Sequence, residues 1–152
     1  MTSSLPLRLV LASSSAYRKE LLSRLHLPFD VAVPDIDESP LPGETPSATA
    51  LRLAREKAAA VAARLPGSVV IGSDQVATLG DEQIGKPGNH ASALAQLQKM
   101  RGREVIFHTA LCVWDGRAEH PDSAAQLADI QTRVTFRDLP DAELDAYLRI
   151  EQ

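Results

Sequence analysis

The residues best suited to chemistry are carboxylates and cations placed at turns beside apolar segments. Asp74, in Ile71-Gly72-Ser73-Asp74-Gln75, follows a Val-Val-Ile run. A carboxylate at the carboxyl end of a strand, where α/β sheets gather ligands, can hold a metal or orient a water. The competing reading is a turn or helix-capping acid. Asp35, Asp37 and Glu38 crowd one short stretch, and acids so close repel unless a cation lies among them. A divalent ion suits them, since Mg²⁺ is usually held by one or two carboxylates plus substrate phosphates. A solvated acidic loop is the alternative. Ser13-Ser14-Ser15-Ala16-Tyr17-Arg18-Lys19 lies between an apolar run and a helical pattern. Backbone N–H groups at a helix start attract anions, serine hydroxyls add hydrogen bonds, and Arg18 offers a fork suited to phosphate. A plain helix cap followed by exposed basic residues fits the same segment. Lys57 falls on the apolar side of an alanine-rich stretch, where lysine is seldom buried without a partner. Glu56 cannot be that partner, because adjacent helical residues face different ways. Snorkelling to the surface is the other option. Lys86, in Gly85-Lys86-Pro87-Gly88, either clamps phosphate or is simply exposed. Together these groups point to metal-assisted chemistry on a phosphate ester, without fixing the reaction.

Other chemistries lack their residues. The glycine pattern of a Walker P-loop is absent, as is the Gly-x-Ser-x-Gly of a serine hydrolase. His26, His90, His108 and His120 do not pair at metal-ligand spacing. A net charge of −4 disfavours a nucleic acid polymer or an anionic membrane surface as partner. It leaves room for a single nucleotide. Cys112, the only cysteine, sits in the apolar run Ala110-Leu111-Cys112-Val113-Trp114 and reads as a core residue. With no intramolecular disulfide available, a reducing, cytoplasmic compartment is expected. The apolar run at 9–12 is too short for a signal sequence or a membrane span.

The elements that position these groups follow from periodicity. With 44% hydrophobic but only 4% aromatic residues, the core must be mostly Leu, Val, Ile and Ala. Residues 7–12 predict a buried strand. A helix over 17–26 follows, capped by one of the three serines, with Leu21, Leu22 and Leu25 on one face. Residues 29–33 alternate like a strand, and 34–45 read as an ordered loop. Thr45 caps and Pro46 opens a helix to 64. A central strand over 68–72 leaves Asp74 just past its end. Asn89 caps a helix over 91–100 that stops near Gly102. Long strands over 105–114 and 126–136 flank a turn-rich 115–123. Pro140 begins a last helix with Leu144, Tyr147 and Leu148 facing inward. Strands alternating with helices, then two strands in succession, predict one α/β domain over 1–152 with a mixed sheet.

In order and spacing, five segments resemble the Maf family of nucleoside triphosphate pyrophosphatases. These are Leu11-Ala12-Ser13-Ser14-Ser15-Ala16-Tyr17-Arg18, Asp35-Ile36-Asp37-Glu38, Arg52-Leu53-Ala54-Arg55-Glu56-Lys57-Ala58, Ile71-Gly72-Ser73-Asp74-Gln75 and Gly85-Lys86-Pro87. The resemblance implies an elongated mixed sheet flanked by helices, inosine-triphosphatase-like, and often a homodimer. It implies hydrolysis of a nucleoside triphosphate to the monophosphate and pyrophosphate with a divalent metal, Mg or Mn. By position, Asp74 looks like the proton acceptor that activates water. Glu38 looks like a metal or water ligand, Asp74 like a further metal ligand, and Ser13, Arg18, Lys57 and Lys86 look like phosphate contacts. Ser73-Asp74-Gln75 with Tyr17 resembles the branch acting on 7-methyl-GTP, in which a methylated, cationic guanine favours an aromatic face and Gln75 can donate to and accept from a base edge. A dTTP/UTP pyrophosphatase and a nucleotide-binding regulator linked to cell division are the alternatives. The family usually has Pro where this chain has Ala16, and its pattern continues beyond Gln152, so the C-terminal portion is expected to be missing here.

Overall fold

The computed structural model describes residues 7–80, 82–85, 88–119 and 121–151. In chain order the elements are β1 (Leu9–Ala12), α1 (Ala16–Ser23), β2 (Asp30–Ala32), α2 (Pro46–Arg64), β3 (Val69–Leu79), β4 (Glu82–Ile84), α3 (His90–Met100), β5 (Glu104–Asp115), α4 (Pro121–Ala124), β6 (Ala125–Thr135) and α5 (Asp141–Glu151). The sheet runs β2-β1-β3-β5-β6, with β4 paired to β3 off this path. β1 lies parallel to β2 and to β3, pairing Leu9 with Val69 through Ala12 with Gly72, while β3 and β4 are antiparallel. This is the α/β architecture with a mixed sheet and flanking helices that the sequence pattern predicts.

Two compact units make up the chain. One comprises the described residues up to Gln75 together with Thr109–Ile130, and the other Val76–His108 with the described residues from Gln131 onward. In the first, Val10, Leu11 and Ala12 of β1 and Val70 of β3 are buried, as are Leu53, Ala54, Ala58 and Val61 of α2. Alanines on that face of α2 let its backbone approach the sheet. Cys112 is fully buried in the same unit, and burial pushes its thiol pKa up, as expected of a core cysteine. The second unit closes around Leu79, Met100 and Val105, with Leu97, Phe107 and Phe136 packed against them. There α3 packs on α5. No helix among the described residues is long and apolar enough to cross a membrane.

Local chemistry explains the helix starts. Thr45 accepts from the Ala48 N–H with Pro46 at the first turn of α2, Ser15 accepts from the Arg18 N–H at the start of α1, and Asn89 accepts from the Ser92 N–H at the start of α3. These caps satisfy donors that a helix start leaves open. α1 stops earlier than the periodicity predicts, at Ser23 rather than His26. There Leu25 and His26 donate to the carbonyls three residues back and His26 turns to φ 56°. Pro28 reinforces the stop by disfavouring helical backbone at Leu27.

Two further expectations are corrected, and one strand has no counterpart in the sequence pattern. β3 does not end at Gly72 but continues to Leu79, so Asp74 lies inside a strand rather than beyond it. The polar residues there do not break the strand because each is bonded within the fold. β4, a three-residue strand of mostly polar composition, carries no periodic signal in the sequence. Tyr147 is 53% exposed while Leu144 is buried, so α5 turns Leu144 inward without Tyr147.

Candidate active site

The site is built where α2 crosses β3. Lys57 continues the apolar face of α2, one turn after Leu53 and one before Val61, and is 7% exposed. Its ammonium lies 3.0 Å from Asp74 Oδ1 and donates to the Ser73 carbonyl at 3.3 Å. It also lies 2.7 Å from Glu38 Oε1. Three acceptors thus meet the three donors of the ammonium, which resolves Lys57 as a partnered buried cation rather than a snorkelling one. A buried charge left unpaired would cost several kcal/mol, on the order of 3–5.

One glycine makes this approach possible. A Cβ on Gly72 would sit 2.2 Å from the Ala54 carbonyl oxygen and 2.8 Å from the Ala58 nitrogen. Residues 72 and 74 share a face of β3 because side chains alternate along a strand. The close contact at Gly72 therefore carries Lys57 to Asp74. Ser73 and Gln75 point to the opposite face. Ser73 Oγ donates to the Ala110 carbonyl at 2.9 Å, and Gln75 Nε2 donates to Thr109 Oγ1 at 3.1 Å.

Of the three clustered acids only Glu38 reaches Lys57. Asp37 Oδ1 accepts from the Ser39 N–H at 2.9 Å, and bonds from Ser39 hold the Asp37 carboxyl below its ordinary pKa. Asp35 is exposed. Among the described residues no group of three or more His, Cys, Asp and Glu is arranged to hold a metal. What the site offers is an all-oxygen pair, Glu38 and Asp74, facing a single ammonium. Two negative charges against one positive leave the site anionic. A hard divalent cation bound by two carboxylates and completed by substrate phosphates fits that donor set.

The acidic loop is anchored by Glu44 and Arg52, to which the sequence patterns assign no such role. Glu44 receives Arg52 Nε at 2.7 Å and Nη2 at 3.1 Å, and also the Thr49 hydroxyl at 2.7 Å and the Leu41 N–H at 3.1 Å. The Arg52 guanidinium foremost holds the Glu44 carboxyl down at about 2. A group depressed in the folded state stabilises the fold above its unfolded pKa, near 4.5. That contribution is lost as pH falls from there toward 2. Urea-unfolding midpoints of wild type should therefore fall between pH 4.5 and 2 more steeply than those of Glu44→Gln; parallel profiles would refute the coupling.

The turn before α1 is ordered by its own hydroxyls. Ser13 is 5% exposed, and its Oγ accepts from the Ser15 N–H at 3.0 Å. The Ser13 N–H donates to the Ala32 carbonyl at 3.1 Å. Arg18 lines an apolar cavity of about 300 Å³ with Leu21 and Leu22 of α1, Leu25 just after it, Leu11 of β1 and Ile71 of β3. Tyr17 is 70% exposed. Hydrogen bonds and ion pairs thus join Glu38, Lys57 and Asp74 directly, and among the described residues none links the side chain of Ser13, Tyr17, Arg18 or Gln75 to them. Lys86 lies outside the described residues.

Solved structures place this architecture in a class. A HAM1 protein from Coxiella burnetii aligns with TM-score 0.56 and 19% identity, over 88% of this chain and 75% of that one. A nucleoside-triphosphatase / dITP/XTP pyrophosphatase from Mycobacterium abscessus aligns with TM-score 0.51 and 18% identity, over 88% and 76%. At that identity the likeness is one of fold, the Ham1 or inosine-triphosphatase-like α/β fold. The sequence narrows the class: residues 8–152 match the family described as Maf-like protein, and the chain belongs to that family. A 7-methyl-GTP pyrophosphatase of Cupriavidus metallidurans is 68% identical over 143 residues, 94% of this chain and 70% of that protein. One of Burkholderia thailandensis is 64% identical over 152 residues, 98% of this chain and 68% of that protein.

Proposed function

We propose that this chain hydrolyses a nucleoside triphosphate, 7-methyl-GTP, to the monophosphate and pyrophosphate, clearing a modified nucleotide from the cytoplasm with the help of Mg²⁺ or Mn²⁺. The observation that carries the reading is the convergence of Glu38 and Asp74 on the buried Lys57. It supplies a fixed base, an anionic cradle and a buried cation within hydrogen-bond reach of one another.

In this reading Asp74 is the general base. Lys57 engages Oδ1, so Oδ2 takes the proton as water oxygen bonds to the α-phosphorus. The bond from that phosphorus to the bridging oxygen breaks, and the pyrophosphate departs with its electron pair. A divalent metal held by Glu38 and Asp74 would neutralise phosphate charge. Lys57 has a charge suited to the phosphate chain once its carboxylates are otherwise engaged. Arg18 would meet the outer phosphates, with the Ser13 hydroxyl donating. The choice of base rests on the relatives' names and on the residue types at Tyr17 and Gln75. An exposed tyrosine can stack on a cationic methylated guanine for roughly 0.5–2 kcal/mol. A reducing compartment suits the single buried cysteine, Cys112.

Pyrophosphate release with Mg²⁺ or Mn²⁺ should give a higher kcat/KM for 7-methyl-GTP than for GTP, dTTP or UTP. A preference for dTTP and UTP would overturn the assignment of base. Tight nucleotide binding without any pyrophosphate would overturn the assignment as an enzyme.

A further inference from the structure

We propose that Arg52, acting through Glu44 and the Ser39 carbonyl, is the positioning residue that fixes Glu38 over Lys57 and Asp74. The proposal rests on the reading of Glu38 as a metal ligand given above.

Glu38 has the weakest footing of the three central groups. Its side chain is 60% exposed and it stands in a stretch with no helix or strand between β2 and α2. An exposed glutamate there has many rotamers, and a long side chain loses roughly 1.5–2 kcal/mol of freedom on being fixed. Yet its carboxylate sits 2.7 Å from the Lys57 ammonium. Something must hold its backbone.

Arg52 does so at two points of the loop. Nη2 donates to the carbonyl of Ser39, the residue after Glu38, at 2.9 Å. Nε and Nη2 together grip the Glu44 carboxylate, six residues after Glu38, at 2.7 and 3.1 Å. Nη1 reaches Glu56 Oε2 at 3.1 Å, which stays the guanidinium against its own helix. The planar fork suits a bidentate carboxylate with a third acceptor beside it, and lysine cannot reproduce that arrangement. Glu44 is in turn held by Thr49 and by the Leu41 N–H. The Arg52 side chain is only 20% exposed and that of Glu44 10%, so the fork is shielded from solvent. Arg52 and Lys57 also stand on the same rigid helix. The residue that anchors the loop and the residue that receives Glu38 therefore have a fixed separation.

Two measurements on the intact chain decide the matter. Amide hydrogen exchange across residues 34–45 should accelerate in Arg52→Met, and unchanged protection would overturn the anchoring. Mn²⁺ binding, followed by electron paramagnetic resonance without turnover, should weaken about 10- to 100-fold in Arg52→Met, as when an outer partner of a metal ligand is lost. Arg52→Lys should rescue only part of it. In a Glu38→Gln background the same Arg52→Met change should weaken Mn²⁺ no further, because its effect passes through Glu38. Equal weakening in both backgrounds would overturn the positioning role. Should Arg52→Met not fold, Glu44→Gln removes the other half of the grip and carries the same expectations. If wild type binds no Mn²⁺, or Glu38→Gln leaves binding intact, the metal reading fails, while hydrogen exchange still decides the anchoring.

Discussion

Asp74→Asn is expected to lower kcat by about 10²–10⁴, the range for loss of a general base, with the fold retained. Asparagine has the shape of aspartate and can keep a neighbourly contact with Lys57, which lies 3.0 Å from Oδ1. Its amide cannot take a proton from water at neutral pH. It also removes one of the two negative charges that face the ammonium. The defect should therefore fall on kcat, and on metal affinity if Asp74 also ligates. The binding of nucleotide without metal should change less. Steady-state kinetics with a circular-dichroism melt on the same preparation checks this. Wild-type turnover in Asp74→Asn would remove Asp74 from the chemistry.

The second large effect lies at a residue with no side chain. Gly72→Ala places a carbon 2.2 Å from the Ala54 carbonyl oxygen, so α2 must withdraw from β3. Overpacking of this kind costs typically about 1–3 kcal/mol and occasionally more. The obstacle here is backbone, which cannot rotate aside. Lys57 rides on the same helix three residues after Ala54, so withdrawal of α2 also draws the ammonium from Asp74. A displacement near 1 Å in a catalytic arrangement costs about 10²-fold in rate. Gly72→Ala should thus lower both the melting temperature and the turnover of the fraction that remains folded. A variant with wild-type melting and turnover would show that α2 and β3 are not so tightly joined.

Much of this arrangement was legible in the sequence, and what was not has physical causes. The long helix over 46–64 could be read to the residue, since Thr45, Pro46 and a regular apolar face agree. Lys57 signalled itself as the one cation on that face. Its partner Asp74 could not be found by spacing, because they meet through a helix-to-strand contact across 17 residues. Gly72-Ser73-Asp74-Gln75 looked like the end of a strand because small and polar residues usually are. In the fold the Ser73 hydroxyl and the Asp74 carboxylate are bonded, so the strand runs on. The pairing of Arg52, which opens one of the family-like segments, with Glu44 left no signal for a different reason. One is in a loop and the other in a helix, and no periodicity links them, although an acid beside a helix cap and an arginine two turns in is a pairing worth testing elsewhere. Tyr17 and Gln75 were legible only through the branch resemblance, Tyr17 as an aromatic face for a cationic base and Gln75 as a donor and acceptor for a base edge.

The central claim is that water attacks the α-phosphorus beside Asp74, and the fate of that water's oxygen tests it most directly. When 7-methyl-GTP is hydrolysed in water enriched in heavy oxygen, mass spectrometry should find the label in 7-methyl-GMP and none in the pyrophosphate. Label in the pyrophosphate, or in inorganic phosphate released with a nucleoside diphosphate, would contradict the account.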